Sequence, residues 1–429
     1  MKKVALHNLG CKVNSYETEA MQELLEASGY EIVPFKEGAD IYIINTCTVT
    51  NMADRKSRQM LHKAKKMNPN AIVIAAGCYV QVKEDAAKDE SIDLIIGNNK
   101  KNELIQILKE YEKNNLERVS NETEQETVID INKTNEYEPL HVTKTTEHTR
   151  AYLKVQDGCN QFCSYCIIPY ARGRIRSRIK EDVIAEVKQL AMNGYKEIVL
   201  TGIHLSSYGV DLTGQEALMD LIESVHEIEG IKRIRLGSLE PRIITEEFAK
   251  KAADLPKLCP HYHLSLQSGC DETLKRMNRK YSTKEYEEAC ILLRKHHEFV
   301  TFTTDIIVGF PGETEEEFQK TKDFVDKIGF YETHIFKYSK REGTKAATMN
   351  NQVLETIKTE RSNILIELGE KQQEKIKQSA KGREVSVLLE EKNEKNGMTY
   401  FTGHTMEYMK VTVPAKGYNS NDIIRMKMK

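Results

Sequence analysis

Three cysteines, Cys159, Cys163 and Cys166, stand in a C-x3-C-x2-C spacing directly after an apolar run, close enough to converge on one soft metal centre. Structural zinc wants four ligands, usually as two C-x2-C knuckles, and no second knuckle follows. A four-iron cluster held by three cysteines instead keeps one iron open, and an open iron can bind and activate a small molecule. The competing reading is three unrelated thiols in a loop. A second set is dispersed: Cys11, Cys47 and Cys78 each follow an apolar run by one or two residues. One cysteine at such a place is usually inert core. Repetition at three equivalent places points to a second three-cysteine cluster at one edge of a parallel sheet, where open α/β sheets bind their ligands. Cys259, Cys270 and Cys290 lack comparable placement and read as packing residues.

The elements that must position these thiols follow from periodicity. Val4 to Leu9, Ile41 to Asn45, Ile72 to Ala76 and Ile92 to Ile96 read as buried strands, with helices over Tyr16 to Ala27 and Met52 to Met67. This is a βαβ series with a parallel sheet. From Glu112 to His148 nine acidic and four basic residues replace the pattern, which reads as a polar linker with one short strand at Val128 to Ile131. A second series then places strands at Tyr152 to Gln156, Glu197 to Leu200, Arg233 to Leu236, Tyr262 to Leu266, Thr304 to Val308 and Thr333 to Phe336. Helices over 181–192, 216–228, 284–295 and 315–327 lie between them. Six strands fall short of the eight that close a complete barrel and predict a partial (β/α)6 barrel. Leu354 to Gln378 reads as a long charged helix leading outward, and the remainder alternates as a small β-barrel. The fold class is α/β throughout the first two units. The expected division is an N-terminal domain over 1–111, a linker over 112–148, a core over 149–370 and a C-terminal domain over 371–429.

At 429 residues the chain is long enough for two to four domains. With 63 Lys+Arg against 65 Asp+Glu, any nucleic-acid affinity must come from local patches. No run of about 18 apolar residues suggests a membrane span, and the start lacks the apolar stretch of a signal peptide, so a cytoplasmic protein is expected. In a reducing compartment nine cysteines are not expected to pair as disulfides.

Taken together, these residues resemble the radical S-adenosylmethionine (SAM) methylthiotransferases over essentially the whole chain. The C-x3-C-x2-C motif with Tyr165 before its last cysteine is the radical SAM signature, and three upstream cysteines in an α/β domain narrow it to this family. Further family-like stretches are Tyr170-Ala-Arg-Gly-Arg-Ile-Arg-Ser-Arg178, His263-Leu-Ser-Leu-Gln-Ser-Gly269 and Asp305-Ile-Ile-Val-Gly-Phe-Pro-Gly-Glu-Thr314. Leu9-Gly-Cys-Lys-Val-Asn14, Asn45-Thr-Cys-Thr-Val-Thr50 and Ala53-Asp-Arg-Lys-Ser-Arg-Gln59 are similar to the subgroup acting on N6-threonylcarbamoyladenosine in tRNA. The isopentenyladenosine subgroup usually has Gly-Cys-Gln-Met-Asn at the first site.

The resemblance implies two [4Fe-4S] clusters, SAM, an external electron donor, a sulfur source and a tRNA anticodon stem-loop as substrate. It implies that Cys159, Cys163 and Cys166 hold the cluster that cleaves SAM, and that Cys11, Cys47 and Cys78 hold the auxiliary cluster that presents sulfur. Replacing an aromatic C2–H of adenine by C–SCH3 is beyond acid–base catalysis, because that hydrogen is not usefully acidic, and a radical is needed. Tyr165, Gly202, Ser238 and Gln267 sit where SAM would lie, at strand ends of the barrel. The C-terminal piece resembles a TRAM domain, an RNA-binding β-barrel, and carries twelve Lys and Arg against seven Asp and Glu from Lys371 onward. The alternatives are a methylthiotransferase for isopentenyladenosine tRNA or for a ribosomal protein and, in another class, a non-catalytic iron–sulfur RNA-binding sensor.

Weaker signals complete the reading. Arg172, Arg174, Arg176, Arg178 and Lys180 alternate at period two with no acid from Cys159 to Lys180, which suggests contacts to tRNA phosphates or the SAM carboxylate rather than a solvated edge strand. Arg55, Lys56, Arg58, Lys63, Lys65 and Lys66 make a basic helix that suits either solvent or RNA. Gly309-Phe-Pro-Gly-Glu313 lacks the Gly-Lys-Ser/Thr ending of a triphosphate loop, and Thr314 with Glu317 reads as a capping box. His261, His263, His296 and His297 form no H-E-x-x-H motif and are not expected to bind zinc.

Overall fold

The computed structural model describes residues 1–117, 127–145, 149–395 and 397–429. The first unit is a five-stranded, all-parallel sheet in the order β2-β1-β3-β4-β5. Its strands are β1 (Lys3–Asn8), β2 (Glu31–Ile32), β3 (Ile41–Thr46), β4 (Ile72–Gly77) and β5 (Leu94–Ile96). The fully buried run Ile41–Thr46 is what a central strand covered on both faces requires. Helices α1 (Lys12–Ala27), α2 (Asn51–Met67), α3 (Cys78–Val82) and α4 (Leu104–Glu117) connect or cover the strands. Thr50 caps α2 by accepting from the Ala53 amide at 3.1 Å, and Lys65 and Lys66 complement the dipole of its last turn.

The strand expected at Val128 to Ile131 does not form. That segment is held by isolated contacts: the Gly97 amide donates to the Thr127 carbonyl at 2.8 Å and the Gln81 side chain to Ile129 at 2.8 Å, while Ile131 is buried. Helix α4 runs past residue 111 into the segment expected to be linker, part of which, 118–126 and 146–148, lies outside the described residues.

The second unit has six parallel strands, β6 (Ala151–Asp157), β8 (Glu197–Gly202), β9 (Arg233–Leu236), β10 (His261–His263), β11 (Thr301–Val308) and β12 (Glu332–Lys337). Parallel bridges Ile234↔Leu258 and Leu239↔Leu264 join the two halves, so the strands form one open partial barrel. The short β7 (Arg176–Ser177) runs antiparallel at the β6 edge. Capping boxes at Ser282 and Thr314 start two of the outer helices. The long helix Glu355–Ser379 does not lead outward. It lies against β12, its Gln372 side chain receives the Phe330 amide at 3.1 Å and donates to the Val325 carbonyl at 2.9 Å, and Arg361 pairs with Glu313 at 2.7 Å. Its buried stripe is largely polar, which is why periodicity did not reveal it.

The C-terminal unit is a four-stranded antiparallel sheet, β15-β14-β13-β16, made of β13 (Glu384–Lys395), β14 (Met398–Thr405), β15 (Lys410–Pro414) and β16 (Ile423–Lys427), with a bulge between Leu389 and Glu391. Arg233 and Arg235, buried on β9 and paired with Glu197, donate at 3.0 Å to the carbonyls of His404 and Met406 and so dock this sheet on the barrel.

Candidate active site

Sheet register brings the dispersed cysteines together. Asn45 on β3 lies level with Asn8 on β1 and Ala76 on β4, so three adjacent strands end at one edge and release Cys11, Cys47 and Cys78 side by side. Gly10 adopts φ +121°, and a methyl group on it would stand 3.2 Å from the Cys47 sulfur. Only glycine permits that approach. Asn14 staples the edge: its Nδ2 donates to the carbonyls of Leu9 at 2.8 Å and Thr46 at 2.9 Å, and its Oδ1 accepts from Arg172 at 2.7 Å. Asn98 donates to the Cys78 sulfur at 3.5 Å.

The clustered cysteines occupy the loop after β6. Gly158 has φ +70°, and any side chain there would press into the Arg174 carbonyl. Phe162 also turns through the left-handed region, at φ 48°, and its carbonyl receives Asn278 Nδ2 at 2.9 Å. The Ser164 amide donates to Met277 at 2.9 Å. Arg279, on that same segment, donates to the Cys163 sulfur at 3.2 Å.

A cavity of about 690 Å³, within the size range of small-molecule sites, is lined by Cys11 of the first set and by all three cysteines of the second. Gly10, Lys12 and Val13 line it beside Cys11, and Tyr165 beside Cys159, Cys163 and Cys166, whereas Cys47 and Cys78 stand outside its lining. Gly202, Ser238 and Gln267 line it as well, at the ends of or just beyond the barrel strands. Gln267 holds a left-handed φ of 67° while its amide donates to Asp305 at 2.8 Å and its carbonyl accepts from Ile307 at 2.9 Å, a constrained conformation of the kind found at binding sites. Tyr165 stands edge-on to Phe310, 6.3 Å between centroids, and burial pushes its hydroxyl well above the usual phenol range.

Burial pushes the thiols of Cys47 and Cys166 up to about 12 and that of Cys159 to about 11, and in each case a neighbouring thiol of the same set raises it further. Such sulfurs are poor free nucleophiles at neutral pH, and a bound metal is what deprotonates them. Among the described residues the only three donors with ligand atoms all within 4.8 Å of one another are His263, Asp305 and His334. The sulfurs of neither cysteine set all come within 4.8 Å of one another, which does not suit three ligands sharing one zinc at about 2.3 Å. Three thiolates with no fourth protein ligand are a donor set that fits a four-iron cluster with one iron open.

The arginine alternation has another purpose than the one expected. Arg172, Arg176 and Arg178 are buried. Arg172 pairs with Glu17 of α1 at 2.8 Å and with Asp157 at 3.2 Å, Arg176 with Asp157 at 3.7 Å, and Arg178 with Glu186 at 2.6 Å. Lys154 and Lys101 complete the buried group around Glu17, at 2.8 and 3.1 Å. Arg172 and Lys154, through Glu17, and Arg178, through Tyr16 at 3.3 Å, join the N-terminal unit to the barrel, whereas Arg176 pairs within the barrel. Buried and paired in this way, these three arginines do not form the tRNA-facing strand that was expected; Arg174 alone of the four arginines is exposed. Arg341 makes a second joint, bonding Asp54 at 2.8 Å, Asn51 at 2.7 Å and Thr48 at 2.7 Å. Of the basic residues on α2, Arg55, Lys56, Arg58, Lys63 and Lys66 are exposed or half-buried, whereas Lys65 pairs with Asp93.

Sequence reasoning missed Asn14, Asn98 and Arg279, which hold cysteines or their loops. The two asparagines lie within or near the quoted motifs, but nothing local marks Arg279, because its partner is 116 residues away. It also missed that the fold brings Asp305 and His334 to His263, with 3.3 Å between the His263 Nε2 and Asp305 and a stacked His334 ring at 5.9 Å.

Residues 153–325 match the model of the radical SAM superfamily, and residues 3–97 match that described as uncharacterized protein family UPF0004. The chain is 40% identical to the threonylcarbamoyladenosine tRNA methylthiotransferase MtaB of Bacillus subtilis, covering 100% of this chain and 94% of that relative. It is 43% identical to the protein of the same name from Aquifex aeolicus, over 91% and 93%. It is 39% identical to the tRNA-2-methylthio-N(6)-dimethylallyladenosine synthase of a Thermoanaerobacter species, over 92% and 84%. Among solved structures, the cobalamin- and [4Fe-4S]-bound radical SAM methyltransferase TsrM of Kitasatospora setae aligns with a TM-score of 0.59 at 15% identity, over 81% of this chain and 77% of that one, a likeness of fold. One cavity lined by Cys11 and by Cys159, Cys163 and Cys166, in a chain that aligns end to end with these enzymes, has one common explanation: the chain belongs to the radical SAM tRNA methylthiotransferases, enzymes that use SAM and [4Fe-4S] clusters.

Proposed function

We propose that this enzyme converts N6-threonylcarbamoyladenosine on the 3′ side of the tRNA anticodon to its 2-methylthio derivative, with Cys159, Cys163 and Cys166 holding the SAM-cleaving cluster and Cys11, Cys47 and Cys78 the auxiliary one. The observation that carries the reading is the cavity lined both by Cys11 and by Cys159, Cys163 and Cys166, so that a base held in it lies beside both cysteine sets. When bound, the cofactors supply a hydrogen-abstracting radical on one side and a transferable sulfur on the other. The chain positions and shields them. Tyr165, Gly202, Ser238 and Gln267 surround SAM; Arg279 fixes Cys163; Asn14 and Arg172 fix the Cys11 loop. The walls keep water from the radical. Neither Asp305 nor Glu240 is required as a base, since the leaving hydrogen departs as an atom.

The remaining roles fit the same reading. The exposed basic side of α2 and the C-terminal sheet contact RNA phosphates, and the electron and the replacement sulfur come from outside the chain. Among the described residues no helix is long and apolar enough to cross a membrane, and an enzyme working on tRNA belongs in the cytoplasm. The chain divides functionally into the N-terminal unit through α4, a connecting segment, the barrel with the helix Glu355–Ser379 lying on it, and the C-terminal sheet from Glu384 onward. A second reading, isopentenyladenosine as substrate, is favoured only by the similar identity to the dimethylallyladenosine synthases. Nucleoside mass analysis of tRNA from cells with and without this protein decides: loss of 2-methylthio-N6-threonylcarbamoyladenosine supports the proposal, and loss of the isopentenyl product alone overturns it.

A further inference from the structure

Among the described residues, one cationic side chain of the cavity has no partner at hydrogen-bond or ion-pair distance. Arg279 is engaged by Cys163 at 3.2 Å and by Tyr281 at 3.1 Å. Glu240 is shared by His204, at 3.1 Å, and Arg242. Asp305 faces His263 at 3.3 Å, and His334 stacks on that ring. Lys12, next to Cys11, lines the cavity and makes no hydrogen bond or ion pair with the described residues; Asp305 attracts its ammonium and Arg150 and Arg235 repel it, none of them in direct contact. Its ammonium therefore keeps its hydrogen-bonding capacity for a guest.

We propose that Lys12 is a specificity-determining residue that pairs with the carboxylate of the N6 substituent, so that the cavity selects an anionic threonylcarbamoyl group over a hydrocarbon one; this rests on the substrate reading above. Three features argue for it. Lys12 directly follows Cys11, so a base turned toward the auxiliary centre presents its substituents near this side chain. The barrel part of the lining supplies the polar groups that a urea and a hydroxyl need, in Ser265, Asp305 and His334. An isopentenyl chain in the same place would cover an ammonium with hydrocarbon and leave it unpaired, a desolvation penalty that acts against the wrong substrate. A charge-assisted hydrogen bond replaces that penalty with a gain when the guest carries a carboxylate.

The test uses full-length, anaerobically reconstituted enzyme and two synthetic anticodon stem-loops, one with the threonylcarbamoyl group and one with its carboxamide. The expected ratio of kcat/KM between them in the wild type is about 10- to 100-fold in favour of the carboxylate, the scale of one charge-assisted hydrogen bond. Lys12→Gln collapses that ratio and Lys12→Arg retains most of it. Equal turnover of the two stem-loops by the wild type overturns the inference, whatever the variants do. So does a Lys12→Gln defect that raises the KM for SAM and falls equally on both stem-loops, which would assign Lys12 to SAM. If the wild type modifies neither of these but does modify an isopentenyl stem-loop, the substrate reading itself is what has failed, and the inference falls with it.

Discussion

Glu17→Gln is the perturbation whose cost is best defined by the structure. The Glu17 carboxylate is fully buried between the N-terminal sheet and the barrel and accepts from Arg172 at 2.8 and 3.0 Å and from Lys154 at 2.8 Å, with Lys101 at 3.1 Å. Asp157 is the remaining carboxylate against Arg172 and Lys154, at 3.2 and 2.6 Å. An amide keeps the volume of Glu17 but withdraws its charge, leaving Asp157 to pair with Arg172, Lys154 and Arg176 and leaving Lys101 without an ion-pair partner among the described residues. Breaking one side of a buried network of this kind costs about 3–5 kcal/mol. The exposed pair Lys144–Glu26 is the internal control, because Glu26→Gln should cost only about 0–1 kcal/mol. Burial pushes the Glu17 carboxyl up, but Arg172, Lys101 and Lys154 outweigh that and hold it well below its ordinary value of 4.5. Its contribution is therefore complete above about pH 4.5 and is lost as pH falls below that toward the depressed value. Urea unfolding of the full chain at pH 7 and at a series of lower pH values measures both effects. The variant should lose most of the stated energy at pH 7 and show a shallower acid decline than the wild type. A loss below about 1 kcal/mol, the scale of an exposed pair, or no difference from Glu26→Gln, would refute the view that this buried group joins the two units.

Other consequences are as direct. Cys163→Ala should abolish formation of 5′-deoxyadenosine from SAM, whereas Cys47→Ala should leave it measurable and remove the methylthio product; full product from Cys47→Ala would refute the sulfur-side assignment. Gly158→Ala, which drives a methyl group into the Arg174 carbonyl, should strip the cluster held by Cys159, Cys163 and Cys166 while sparing the other, seen as about half the iron. Deleting residues from Gly382 onward should weaken tRNA binding and flatten its dependence on salt, because phosphate contacts are lost. A cut at Lys371 would confound that measurement by damaging the barrel unit, where Gln372 accepts from the Phe330 amide.

How much was legible in the sequence depended on whether the signal was local. Both cysteine sets were legible, one by spacing and one because strand ends repeat, and parallel register then did the rest. The arginines between Arg172 and Arg178 misled, because alternation with no acid nearby looks like a surface for phosphates or the SAM carboxylate when the acids that pair with it, Glu17 and Glu186, belong to other elements. The helix Glu355–Ser379 misled for a related reason: Lys358, Arg361 and Gln372 are buried through hydrogen bonds to barrel carbonyls and carboxylates, which leave no apolar stripe to read. Val128 to Ile131 had the residues of a strand, but its carbonyls accept from the Gln81 side chain and the Lys133 amide instead of entering a ladder.

The central claim, that six cysteines form two separate cofactor sites that adjoin one cavity, is tested most directly by iron and sulfide analysis of anaerobically reconstituted protein. Wild-type protein should carry about eight irons per chain and Cys11→Ala/Cys47→Ala/Cys78→Ala about four, the latter still cleaving SAM. About four irons in the wild type, unchanged when those three cysteines are removed, would contradict it.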